Sequence, residues 1–239
     1  NLSEGDGQTF DVRARDAAGN WCDNASTYGP VRVDLTNPVI SSLSSTSHQE
    51  NVWSNSPDAN FSWVADDLLG DGSTPGAGIV GFEITILGQS TSLGGSLSSF
   101  DFHSSTWASL PDGDLGNLGL VAQDGTGHQS TPFQYGPILV DRVAPDAPGN
   151  LVSSTHAENS FSNVSGLVLS WDVAVDATSG AETYAVNGVD TLGLTNWSET
   201  LVDGVHSFSV RAVDFAGNIG IASAFSNVAI DLTQPDSLT

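Results

Sequence analysis

The chain repeats itself, and no other feature constrains its fold as tightly. Residues 47–63 read SHQENVWSNSPDANFSW, and residues 155–171 read THAENSFSNVSGLVLSW. At a constant offset of 108, His48 matches His156, Glu50 matches Glu158, Asn51 matches Asn159, Trp53 matches Phe161, Asn55 matches Asn163 and Trp63 matches Trp171. A second signature occurs three times, as VRARDAAGN (12–20), LVAQDGTGH (120–128) and VRAVDFAGN (210–218). A third follows each copy of the second, as GPVRVDLTNP (29–38), GPILVDRVAP (136–145) and SNVAIDLTQP (226–235).

The order of the signatures predicts the organisation. Residues 1–36 carry only the second and third signatures and read as the closing hairpin of a truncated or strand-complemented domain. Residues 37–143 form a full domain with loop insertions, and residues 144–239 a second full domain with the start of the next linker. Trp63 and Asp124 are 61 positions apart, against 43 for Trp171 and Asp214. The extra residues fall in Gly/Ser/Asp-rich sequence around 68–78 and 88–116, where surface loops tolerate insertion.

Each signature reads as β-structure. Phe10, Val12 and Ala14 alternate with polar residues, and so do Leu118, Leu120 and Ala122, and Phe208, Val210 and Ala212. Alternation gives one buried and one solvated face. Asp-x-x-Gly-Asn then supplies a turn with a residue suited to positive φ. A second strand returns through Val31/Val33, Ile138/Val140 or Val228/Ile230. Phe61/Trp63 and Leu167/Leu169/Trp171 mark another strand's inner face, and Phe82/Ile84/Ile86 a further strand. Short strands between turn signals predict an all-β fold of tandem β-sandwiches. Pro38, Pro145 and Pro235 read as short, stiff linkers.

Composition narrows the function. The formal charge is −23, from 28 acidic residues against five arginines, with no lysine. Without clustered cations a nucleic-acid partner is excluded and an anionic membrane surface is disfavoured. No run of 18 apolar residues spans a bilayer. Cys22 is the only cysteine, so neither an intrachain disulfide nor a cysteine zinc site can form.

The combination of T/S-H-x-x-x-x-W/F-S-N, a strand ending in S-W, DG-x-H-S-F-x-V-R-A-x-D-x-A-G-N and a closing V-D-x-T-x-P resembles tandem immunoglobulin-like or fibronectin type III-like repeats of large bacterial and archaeal surface proteins. The resemblance covers essentially the whole chain. It implies a non-catalytic structural segment of an extracellular surface layer, filament, sheath or adhesin stalk. Its partners would be neighbouring copies of the same protein, with glycans possible and no direct membrane insertion. The alternatives are a carbohydrate- or protein-binding module held by the variable loops, or accessory domains of a secreted enzyme. Residues 1–36 then belong to a longer array, or are completed by strands from elsewhere, including another chain. Gln123–His128 departs from the usual A-x-D-x-A-G-N, which predicts a turn of different detail.

Calcium is the sharpest expectation for chemistry. In a sandwich of this topology, Asp34 should approach Asp66, Asp67 and Asp124, and Asp141 should approach Asp172, Asp176 and Asp214, each set at a domain junction. Calcium takes six to eight oxygens, which Asp at loop ends supplies, and this chain has 22 Asp against six Glu. The competing reading is turn capping, in which Asp bonds its own backbone. EF-hand and nonapeptide calcium signatures are absent. The recurring pairs His48/Trp53 and His156/Phe161 could stack on a sugar, but they fit better as fold-forming residues, the aromatic covering an edge and the imidazole bonding a carbonyl. Trp63 and Trp171 are expected in the core. Trp21, Trp107 and Trp197 could be interface anchors or plain packing. The five histidines are scattered and no nucleophile–base set is identifiable, so an enzyme is not expected. Asn1, Asn24, Asn60, Asn163 and Asn196 begin Asn-x-Ser sequons, compatible with glycosylation.

Overall fold

The computed structural model describes residues 2–102 and 110–236. His103 and Trp107 lie outside the described residues. Within them the strands run in order: β1 (Gly5–Val12), β2 (Ser26–Val33), β3 (Val39–Ser44), β4 (Trp53–Ser54), β5 (Asn60–Asp66), β6 (Ile79–Ile86) and β7 (Gln89–Gly94). Then come β8 (Ser99–Asp101), β9 (Gly113–Asp114), β10 (Leu118–Asp124), β11 (Phe133–Tyr135), β12 (Leu139–Val140) and β13 (Val152–Ser153). The last are β14 (Ser160–Ser162), β15 (Gly166–Ser170), β16 (Ala181–Val186), β17 (Val189–Asp190), β18 (Asn196–Thr200), β19 (Gly204–Asp214) and β20 (Ser223–Ile230). No helix occurs among the described residues, so none there is long and apolar enough to cross a membrane. The chain divides into two compact units: residues 1–46, 60–102 and 116–137, and residues 47–59, 103–115 and 138–239.

The first unit holds the sheets β3–β5–β8 and β11–β10–β6–β7 and the hairpin β1–β2. Period-two patterning decides what each strand buries. On β5, Phe61 and Trp63 point inward while Ser62 and Val64 are exposed. On β10, Leu118, Leu120, Ala122 and Asp124 are all buried. Phe82, Ile84 and Ile86 of β6 complete the apolar layer. The Trp63 ring meets Phe82 edge-on at 5.1 Å, and Phe61 meets Phe102 and Tyr135 at 5.6 and 5.7 Å. These offset geometries add to plain area burial.

The second unit is a β-sandwich. The sheet β13–β15–β18 faces the sheet β14–β20–β19–β16–β17. Leu167, Leu169 and Trp171 pack between them against Tyr184, Val186, Phe208, Val210, Phe225, Val228 and Ile230. The strands β4, β12 and β9 form a further sheet of this unit. Asn51 and its repeat partner Asn159 take φ of 60° and 57°. Asn tolerates this left-handed region better than most residues, which explains its recurrence.

The hairpin β1–β2 pairs Phe10 with Tyr28, the register that β19–β20 repeats with Phe208 and Phe225. In β19–β20 both rings are buried, whereas Phe10 is 40% and Tyr28 70% exposed. The expected edge-covering role of Phe161 is corrected: on β14 it is 82% exposed.

Candidate metal centres

Each copy of the second signature ends in the same turn. The amides of Gly19, Gly127 and Gly217 donate back to the carbonyls of Asp16, Asp124 and Asp214, and these glycines take φ of 98°, 95° and 85°. The departure at 123–128 therefore keeps the backbone bond of the turn and changes its side-chain detail. The difference around the Asp lies in two side chains, Thr126 in place of Ala18 and Ala216, and His128 in place of Asn20 and Asn218. Asn20, His128 and Asn218 each donate a main-chain N–H to Oδ1 of the turn's Asp at 2.8 Å. Their side-chain nitrogens lie against Oδ2 of the same Asp at 3.0, 3.1 and 2.8 Å.

The closing-strand aspartates come to these turns. Oδ1 of Asp34 accepts from the Thr36 N–H, and its Oδ2 from the Ala77 N–H. Asp141 repeats the arrangement with Val143 and Ser179. The result is one cluster in each unit. One ligand atom each of Asp34, Asp124 and His128 lie within 4.8 Å of one another in the first, and those of Asp141, Asp176 and Asp214 in the second.

Asp67 adjoins the first cluster. It and Asp34 flank Gly76, where a Cβ would stand 2.6 Å from Asp34 Oδ2 and 2.7 Å from Asp67 Oδ2. Asp67 Oδ2 accepts from the Gly78 N–H, while its Oδ1 is buried without a hydrogen-bond partner. Burial pushes the Asp67 carboxyl above its usual value, and the charges of Asp34 and Asp124 add to this against the Gly78 N–H and His128. Burial also works on Asp124, but donors from Thr126 and His128 outweigh it and leave that carboxyl below its usual value. Two carboxylates this close repel by about 3 kcal/mol at an effective dielectric constant of about 20. A divalent cation would reverse the sign of that interaction. In the second cluster Asp141 and Asp214 are fully buried, and Asp176 Oδ2 and Ser179 Oγ are buried without partners. Asn218 Nδ2 also donates to the Asp141 carbonyl at 3.0 Å.

The structure thus brings together Asp34, Asp67 and Asp124, and Asp141, Asp176 and Asp214. It leaves out Asp66, exposed at the end of β5, and Asp172, exposed and hydrogen-bonded to Asn150. Sequence reasoning missed His128, whose signal was its replacement of Asn in one of three signature copies. The repeat histidines are structural: both are buried, and His156 Nε2 donates to the Val164 carbonyl at 2.8 Å. Trp63 and Trp171 are core residues. Trp197 packs against the second unit's core, while Trp21 is exposed beneath the Arg15 guanidinium.

No family model matches the chain. Over 94% of its length it is 26% identical to Exoglucanase B of Cellulomonas fimi, of which it spans only 20%. Among solved structures it is similar to the fibronectin(III)-like modules of Clostridium thermocellum CbhA, at 16% identity and a TM-score of 0.45, covering 84% of this chain and 99% of that one. A 1.5-MDa bacterial ice-binding adhesin gives 16% identity and a TM-score of 0.42, covering 94% and 74%.

Proposed function

We propose that this chain is a non-catalytic structural segment of an extracellular repeat protein, its modules rigidified by divalent cations at the two aspartate clusters, with calcium at the second. The observation that supports this reading best is the use to which the recurring residues are put. Trp63 and Trp171 fill cores, His48 and His156 are buried, and Asp124 and Asp214 organise the turns. The recurrence is accounted for by folding and by the carboxylate clusters, which suits a module that holds other parts at a distance. Asp carboxylates on short turns match the oxygen preference of calcium.

A second reading has a specific observation behind it. The similarity to a stretch of Exoglucanase B runs along almost the whole chain, which favours accessory domains of a secreted polysaccharide-degrading enzyme. Both readings predict that the purified chain releases no sugar from cellulose, xylan or chitin. They part on binding: the spacer does not co-sediment with these polymers, whereas a carbohydrate-binding module does. Release of reducing sugar by the chain alone would overturn both.

A further inference from the structure

The two clusters differ in one ligand, and the difference has chemical consequences. Asn20 and Asn218 present Nδ2 to the turn carboxylate, and an amide nitrogen is only a donor. His128 presents an imidazole nitrogen at the same place. An imidazole can shed its proton and offer a lone pair instead. We infer that the first-unit centre, Asp34, Asp124 and His128 with Asp67 beside them, takes a zinc-class divalent transition cation, while the all-oxygen second-unit centre takes calcium. This rests on the cation reading of both clusters.

The remaining hydrogen bonds leave room for such an ion. Asp124 Oδ1 is already used by three donors, the N–H groups of Thr126 and His128 and the Thr126 hydroxyl. Its Oδ2 faces His128 Nδ1 at 3.1 Å, and that nitrogen also lies 2.8 Å from the Thr126 hydroxyl, which an ion would displace from it. Ligands about 2.0–2.2 Å from a tetrahedral zinc sit about 3.3 Å from each other, so this pair is already spaced as two ligands of one ion. Asp67, 9% exposed, adds a buried Oδ1 that no donor satisfies. A surface cavity of about 160 Å³ lies beside Asp34, lined also by Gly76, Ala77, Thr126, Asp6 and Arg32. On binding, any Nδ1 proton leaves to water, and the Thr126 hydroxyl keeps its bond to Asp124 Oδ1. Imidazole suits zinc and its neighbours, whereas carboxylates alone suit calcium. The second cluster has no imidazole: its corresponding position is Asn218, whose amide is spent on Asp214 and the Asp141 carbonyl.

The test uses tag-free, chelator-stripped full chain titrated with ZnCl2 and, separately, CaCl2, read by native mass spectrometry, calorimetry and thermal melting. One Zn2+ should bind. His128→Asn installs the side chain that the sister turns already carry, so the metal-free melting temperature should hold while zinc affinity falls on the order of 10-fold or more. Absence of zinc binding, or unchanged affinity in His128→Asn, would overturn the inference. A calcium response lost in Asp176→Asn would then still uphold the calcium reading of the second centre. No response to either ion would end both.

Discussion

Val12 and Val210 occupy one repeat position in two environments, and truncating each measures what the sandwich adds. Val210 is 0% exposed between the sheets of the second unit, whereas Val12 on β1 is 65% exposed. Val210→Ala removes two carbons from a packed core. At about 0.8 kcal/mol per buried methylene the transfer loss is about 1.6 kcal/mol. A residual cavity of roughly 40 Å³ adds about 1 kcal/mol, for a total of about 2.5 kcal/mol. At Val12 the buried fraction is about a third, and with little cavity the cost falls to about 0.5 kcal/mol. Any loss of β-propensity is common to both variants and cancels in the difference. In thermal melts, Val210→Ala should lower the transition of its unit by roughly 10–20 °C, at about 4–8 °C per kcal/mol for a module of this size. Val12→Ala should move the curve by a few degrees at most. Equal shifts would refute the argument, since they would mean that the hairpin face of residues 5–33 is as closely packed as the sandwich core.

Three further perturbations follow from the geometry. Gly76→Ala should abolish the stabilisation that divalent cations give to the first unit, because its Cβ would press on Asp34 Oδ2 and Asp67 Oδ2; melting with and without ZnCl2 reads this directly. Asn218→Ala removes bonds to Asp214 Oδ2 and to the Asp141 carbonyl and should cost about 1–3 kcal/mol in urea unfolding. His48 has its pKa lowered by burial and by the Arg142 charge, so the unfolded chain takes up its proton first. Its contribution is present above the unfolded value near about 6.5 and is lost as pH falls toward the folded value. Substituting His48→Gln should flatten that part of the pH–stability profile.

Much of this was readable in the sequence because strands advertise themselves by alternation. Phe61 and Trp63, Leu167 and Leu169, and Phe82, Ile84 and Ile86 were placed inward by period two alone, and all are buried. The same period explains the error over the acidic pairs. Asp66 and Asp67 are adjacent, so they face opposite ways at the end of β5, and only Asp67 turns in. Asp172 and Asp176 sit on a loop, where backbone hydrogen bonding rather than alternation decides which carboxylate reaches Asp141. His128 was invisible as a ligand because the turn's backbone is unchanged by it; only comparison with Asn20 and Asn218 exposes the chemical substitution. Phe161 does not cover an edge as its recurrence suggested, because a residue on the short edge strand β14 can recur without being buried.

Cation-dependent stability is the most direct test of the central claim. The chelated chain should melt lower than the same chain in saturating calcium, by an amount set by mass action: about 2.7 kcal/mol when free calcium exceeds Kd about 100-fold. Asp176→Asn should remove that gain without lowering the melting temperature of the chelated chain. A wild-type melting temperature identical in EDTA and in calcium would contradict the account and leave the carboxylate cluster of Asp141, Asp176 and Asp214 as turn chemistry alone.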